Sequence, residues 1–238
     1  MRFNWSNIKL VLLFGVVIFL FAFASNKNDA RLVKQLQVTF TSENNLFITN
    51  ENVSKLLIQN YGTLENVPKE ILDLNQLEKT LKSNPMIKSA EVYLAIDGTL
   101  YAEVAQKTPI ARVRTNASFY VDDEGKYMPL STNYSARVPL ITGYVDKNHL
   151  EDIYKIADKV RHDTFLKTNV IEIHQDRNQH IYLKLRECTF TVHLGKVTQL
   201  DKKINNLKAF YQKNLKDNTL NQYSMVNLKF DNQVVCTK

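Results

Sequence analysis

Cys188 and His193 are the first pair in the chain that could do chemistry, because a thiol within reach of an imidazole makes a nucleophile. They sit five apart in a strand-like run, and that odd spacing points them to opposite faces. Their simpler reading is a core thiol and a surface histidine. His174, His180 and His193 could approach one another across neighbouring strands as metal ligands, yet they lack the short fixed spacing of a zinc site. Asp122, Asp123 and Glu124 ahead of Gly125 suggest calcium, but no twelve-residue ligand loop surrounds them, and a polar turn between strands explains them more simply. Neither G-x-S-x-G nor H-E-x-x-H occurs. The residues therefore point to no catalytic centre, no cofactor, no metal and no small-molecule substrate.

The totals favour a folded chain with room for more than one compact domain. It has 238 residues, 44% of them apolar and 23% charged. The net charge of +7 comes from 31 basic residues scattered among 24 acidic ones rather than gathered in a patch, which argues against nucleic-acid binding. Cys188 and Cys236 fit an exported protein, and the sequence leaves open whether they pair.

The start of the chain decides the compartment. From Leu10 to Ala24 it reads "LVLLFGVVIFLFAFA", uncharged throughout. Counted from Trp5 to Ser25 as a helix, the segment is roughly 31 Å long, enough for a hydrocarbon core of about 30 Å. The competing reading is a signal peptide cleaved after Ala22-Phe23-Ala24. Both place the residues from about 25 onward outside the cytoplasm. Arg2 and Lys9 on one side are balanced by Lys27, Arg31 and Lys34 on the other, so charge does not orient the segment.

Five elements follow. Residues 33–40, "VKQLQVTF", read as a strand. A helix starts at Thr49 as cap, with Val53, Leu56, Leu57 and Asn60 on one face and Gly62 beyond its end. A second helix is capped by Asp73, with Gln76 at the capping-box position and Leu72 able to staple Leu77, and Pro85 stops it. In "NPMIKSAEVYLAIDGTLYAEV" the apolar residues keep one parity through the turn: Ala90, Val92, Leu94, Ile96, then Leu100, Ala102, Val104. A two-residue loop at Asp97-Gly98 would set a greasy face against a polar one. A three-residue loop over Ile96-Asp97-Gly98, with Gly98 left-handed, pairs Leu94 with Leu100, Val92 with Ala102 and Ala90 with Val104. The hairpin then has one apolar face, which the two helices cover.

Residues 110–238 form a second unit. Strands are expected near 110–114, 118–122, 127–130 and 138–141, then a helix over 148–162 burying Leu150, Ile153, Tyr154, Ala157 and Val160. "VIEIHQ", "HIYLKLRE" and "TFTVHLG" predict a meander, and Leu200, Ile204, Leu207 and Tyr211 a second long helix. "YSMVNLKF" and "QVVCTK" supply the last strand or strands, where a sheet edge would carry unpaired backbone groups.

This order and these residues resemble the FtsQ/DivIB family of bacterial division proteins. "NPMIKSAEV" is similar to its Pro-hydrophobic-hydrophobic-Lys-x-Ala-x-Val signature and "EVAQKTPIARV" to the pattern that ends in Ala-Arg-Val. "FYVDDEGKYMPL" resembles its Val-Asp-x-x-Gly turn, "VPLITG" its Leu-Pro-x-x-x-Gly segment, and "VNLKFDNQVV" at 226–235 its terminal strand. Asn227, Lys229 and Phe230 depart from the family's usual Asp, Arg and Tyr. The resemblance implies an α+β protein: a short cytoplasmic stretch (1–9), an uncleaved transmembrane helix (10–25), a β-α-α-β-β POTRA domain (33–108), and a β domain of mostly antiparallel sheet with two long helices (109–238). It implies a non-enzymatic scaffold in the bacterial inner membrane at the division septum, with its bulk in the periplasm. Its partners would be FtsB/DivIC-like and FtsL-like proteins, the former adding a strand at the edge of the C-terminal sheet. Contacts carried over residue by residue are Lys229, Phe230 and Asn232. The POTRA domain would act in septal recruitment through its exposed face. The alternative is a cleaved periplasmic chaperone or assembly factor whose POTRA domain receives outer-membrane substrates.

Overall fold

A computed structural model describes residues 5–42, 45–59, 62–115, 117–230 and 233–238. They fall into two compact units, Met1–Gln106 and Lys107–Lys238. The first opens with α1 (Trp5–Asp29), a 25-residue helix in which Lys9–Asp29 is long and apolar enough to cross a membrane. It runs past the expected end at 25 because Ser25 to Asp29, polar as they are, continue its hydrogen-bonded turns.

The body of this unit is β1 (Gln35–Phe40), α2 (Asn50–Ile58), α3 (Leu74–Lys82), β2 (Ile87–Leu94) and β3 (Thr99–Gln106), in the β-α-α-β-β order expected. The strands lie in the order β1-β3-β2, with β1 parallel to β3 and β2 antiparallel to it. The expected hairpin register holds: Leu94 pairs with Leu100, Val92 with Ala102 and Ala90 with Val104. Gly98 has φ +93°, and its N–H donates to Ala95 O at 3.1 Å to close the loop. Thr49 caps α2 by accepting Asn52 N–H, and Asp73 caps α3 by accepting Gln76 N–H. Val53 and Leu57 of α2 and Leu77 and Leu81 of α3 cover Ala90, Leu100, Ala102 and Val104 in one core. Asn60, placed on the α2 face by its spacing, lies outside the described residues.

The second unit is one sheet with helices. Its elements are β4 (Pro109–Arg114), β5 (Ser118–Asp122), β6 (Tyr127–Met128), β7 (Leu140–Gly143), α4 (Glu151–His162), α5 (Thr164–Asn169), β8 (Val170–Gln175), β9 (Ile181–Leu185), β10 (Thr191–Gly195), α6 (Leu200–Lys216), β11 (Met225–Asn227) and β12 (Val235–Thr237). Nine strands lie in the order β12-β11-β10-β9-β8-β7-β4-β5-β6. Most neighbours are antiparallel, but β7 is parallel to both β4 and β8, and β10 is parallel to β11. A parallel pair needs a crossover. Here α4 with α5 supplies it between β7 and β8, and α6 between β10 and β11. Ile141, Ile173, Leu183, Val192 and Val226 stand in register across five strands, all buried. Ile153, Ile156, Ala157, Val160, Ile204 and Leu207 complete that core from the helices.

Some boundaries differ from the sequence reading. The strand expected at 127–130 is only Tyr127–Met128, and that at 138–141 lies at Leu140–Gly143. The helix expected from 148 begins at Glu151, because Asp146 draws Asn148 and His149 into a turn first. Ile156 is buried where Tyr154 was expected to be, and Tyr154 is only partly covered. The short α5 was not foreseen. Asp163 ends α4 in extended backbone and then caps α5 by accepting Leu166 N–H at 3.1 Å.

Candidate partner-docking edge

The carboxyl-terminal end of the second sheet is β12. It pairs with β11 on one side, Met225 opposite Thr237, Val226 opposite Cys236, and Asn227 opposite Val235. On its other side, no strand among the described residues pairs with it. "VNLKFDNQVV" is therefore not one strand. Asn227 Oδ1 accepts Lys229 N–H at 3.0 Å, a local turn that ends β11 after three residues and sends the chain back as β12. The rim of β11 is thus covered from within, and the open rim lies one strand further out.

Alternation sorts these short strands. Val226 is buried and Cys236 half-buried on the helix side, while Met225, Asn227, Val235 and Thr237 share the other face. Met225 is 37% exposed and Val235 41%. Lys229 and Phe230 lie in the connection between β11 and β12. The Lys229 side chain crosses Gly195 so closely that a Cβ there would meet its Cγ at 2.6 Å. Phe230 is 47% exposed. Asn232 lies outside the described residues. Met225 and Val235 are edge residues the sequence reading did not single out, although their alternation with Val226 and Cys236 carries the signal.

The face away from the helices holds the histidines. One row in register reads Thr142, His174, Tyr182, His193, Asn227, Val235. Tyr182 stacks on His193 with centroids 4.3 Å apart and ring planes 10° apart, and His180 lies 5.6 Å from His193. Burial pushes the His193 imidazole below its ordinary pKa, and the Lys229 and His180 charges push it further, against the pull of Asp176. Among the described residues no three His, Cys, Asp or Glu side chains converge as metal ligands.

Cys188 and His193 do not meet as nucleophile and base. Cys188 packs against the core cluster, whereas His193 stacks on Tyr182 on the open face. Burial, then the charge of Glu187, pushes the Cys188 thiol up to about 11, and burial raises Cys236. Both cysteines are free thiols, protonated at neutral pH. The acidic run at 122–124 is a turn: Asp122 Oδ1 accepts Glu124 N–H and Lys126 N–H, and Gly125 takes φ +75°. The second Asp122 oxygen is held by Lys107, not by a cation site. Among the described residues, what this unit offers is an end strand bordered by apolar side chains.

Comparison with known proteins places both units in known families. A family model described as FtsQ/DivIB, C-terminal related, matches residues 108–237, more than half of the chain. A POTRA-like domain model matches residues 32–105. "Cell division protein FtsQ" of Geotalea daltonii (strain DSM 22248 / JCM 15807 / FRC-32) is 21% identical over 179 residues, covering 70% of this chain and 64% of the relative. The chain thus matches less than two thirds of that relative's length.

Proposed function

The chain belongs to the FtsQ/DivIB family of cell-division proteins, and from that premise we propose that it is a single-pass, non-enzymatic scaffold of the division machinery. In this reading α1 anchors it in the plasma membrane and both folded units work on the outer side at the septum. The second unit binds an FtsB/DivIC-like partner, with an FtsL-like protein in the same assembly, and so links early division proteins to septal wall synthesis.

The observation that carries the reading is the outer rim of β12, which no strand among the described residues covers. An incoming segment can add a strand there. Backbone hydrogen bonds give it generic affinity, and alternate side chains meeting Met225 and Val235 give it selectivity. Lys229, Phe230 and Asn232 are proposed as further contacts. Phe230 has no hydroxyl, so its share rests on apolar burial, worth about 1.5–3 kcal/mol.

The test is a titration of the chain in nanodiscs with a peptide from the partner's strand-forming end. Phe230→Ala should weaken binding roughly tenfold. Val235→Lys, which puts a charge on the edge, should weaken it at least as much while leaving the fold intact. Unchanged affinity in both variants removes the assignment.

A further inference from the structure

The three-stranded sheet of the first unit has a rim and a face that differ in how open they are. On the β2 rim, Glu78 of α3 turns its Oε1 to accept Val92 N–H at 3.1 Å, while Lys82 holds Oε2 at 2.9 Å. The Lys82 hydrogen bond first and the Val92 N–H second keep the Glu78 carboxyl below its usual range. A charged side chain thus occupies an amide that an added strand would need. Strand addition at β2 is blocked at its middle.

The face away from α2 and α3 is open. Tyr93 and Tyr101 stand opposite each other in register and stack, with centroids 5.3 Å apart and planes 18° apart, and Tyr93 is 42% exposed. In the next row Glu91 stands opposite Glu103. Like charges directly across a strand pair destabilise a sheet. Among the described residues no ion pair relieves either one, and Glu103 is engaged by a neutral donor, the Tyr93 hydroxyl at 2.8 Å. Gln35, Gln37 and Thr39 of β1 extend the same face with uncharged polar groups. The protein as a whole carries +7, so this acidic aromatic face runs against its overall sign.

We propose that the Tyr93–Tyr101 face with Glu91 and Glu103 is a docking surface for a basic segment of a partner protein, an arginine or lysine lying over the stacked rings with its charge between the two carboxylates. Charge complementarity selects this occupant. A guanidinium stacks on an aromatic face and hydrogen-bonds carboxylates in the same plane, which one face here supplies together. The charge of the rest of the chain repels such a segment and steers it to this face. The like-charge pair, a defect in the free unit, becomes a matched site in the complex. This surface is separate from β12.

The probe is a blocked peptide of alternating arginine and valine, titrated against the full chain in neutral-lipid nanodiscs, with the glutamate-for-arginine peptide as control. Saturable binding of the arginine peptide alone, weakening with salt, is expected. Glu91→Gln with Glu103→Gln should weaken it at least fivefold while raising the melting temperature of the first unit, and Tyr93→Ser should weaken it without that rise. Val235→Lys should leave it unchanged. Equal binding of both peptides, or full affinity in the double glutamine variant, overturns the proposal.

Discussion

Gln106 holds Ile48 at both ends of its backbone: Nε2 donates to Ile48 O at 2.8 Å, and Oε1 accepts Ile48 N–H at 3.3 Å. The same oxygen accepts Phe47 N–H at 3.0 Å. Gln106 ends β3 fully buried, so its amide acts as a substitute strand for the segment that leads into α2. Buried polar groups left without partners cost about 1–3 kcal/mol each. Gln106→Leu keeps the bulk and removes every bond. The expected loss is about 3 kcal/mol or more in the first unit, seen as faster hydrogen exchange in α2 while the second unit is unchanged. Exchange in α2 equal to that of the parent protein would count against this role.

Lys107 and Asp122 make a second buried polar link, at the start of the other unit. Lys107 Nζ lies 2.7 Å from Asp122 Oδ2, with side chains 15% and 1% exposed, and it also donates to Tyr127 O at 3.2 Å. Removing one partner of such a pair strands a charge, at a cost of about 3–5 kcal/mol. Lys107→Met should therefore destabilise β4 to β6 by that order. Adding Asp122→Asn, whose amide oxygen can still accept the turn N–H groups, should recover more than half. Hydrogen exchange of β5 measures both. A double variant no more stable than the single would mean that the turn, not the ion pair, carries the stability.

Asp163 predicts a pH dependence. It caps α5 and receives Lys208 of α6 at 2.5 Å. Burial alone would raise its carboxyl, but the Lys208 and Leu166 hydrogen bonds, with the charges of Lys208 and Lys159, outweigh burial and leave it below the ordinary value. A carboxyl depressed in the folded state stabilises above its unfolded pKa, near ~3.9, and that contribution is lost as pH falls through the folded value. Thermal stability of the second unit should therefore fall below about pH 4. Asp163→Asn keeps a capping side chain but loses the Lys208 ion pair, so it should cost about 1 kcal/mol at neutral pH and flatten this acid limb. An acid limb that persists unchanged in the variant would assign it to other carboxylates.

How much of this was legible in the sequence depended on whether the signal was periodic or local. The apolar parity from Ala90 to Val104 sets a register that only one loop length satisfies, so the hairpin and its helical cover followed from the residues. The same register places Tyr93 beside Tyr101 and Glu91 beside Glu103. The turn at Asn227 rests on a single side chain bonding two residues ahead, and such a bond competes with a strand ladder without leaving any periodic trace. That is why the residues alone left "YSMVNLKF" and "QVVCTK" as one strand or two, while the resemblance matched "VNLKFDNQVV" to a single terminal strand. The parallel placement of β11 against β10 depends on where α6 delivers the chain, which no local pattern encodes. Glu78 reaching Val92 is likewise a tertiary contact between a helix and a strand fourteen residues apart.

Gly195 offers a way to disturb the β11–β12 connection without touching β12. It has φ +74°, and Lys229 Cγ occupies the space a side chain would need. Ala in left-handed backbone costs roughly 1–2 kcal/mol, and the added methyl must push the Lys229 stem aside. Lys229 closes the turn that ends β11 by donating its N–H to Asn227 Oδ1, so the displacement moves the very segment that carries Phe230. If Lys229 contacts the partner strand, Gly195→Ala and Lys229→Ala should each weaken binding, and the double variant should be no weaker than the worse single, because both remove the same contact. Strictly additive losses in a nanodisc titration would mean that Gly195 acts on the sheet and that Lys229 binds by some other geometry. An effect of Gly195→Ala with none from Lys229→Ala would leave Phe230 and the β12 rim as the contacts.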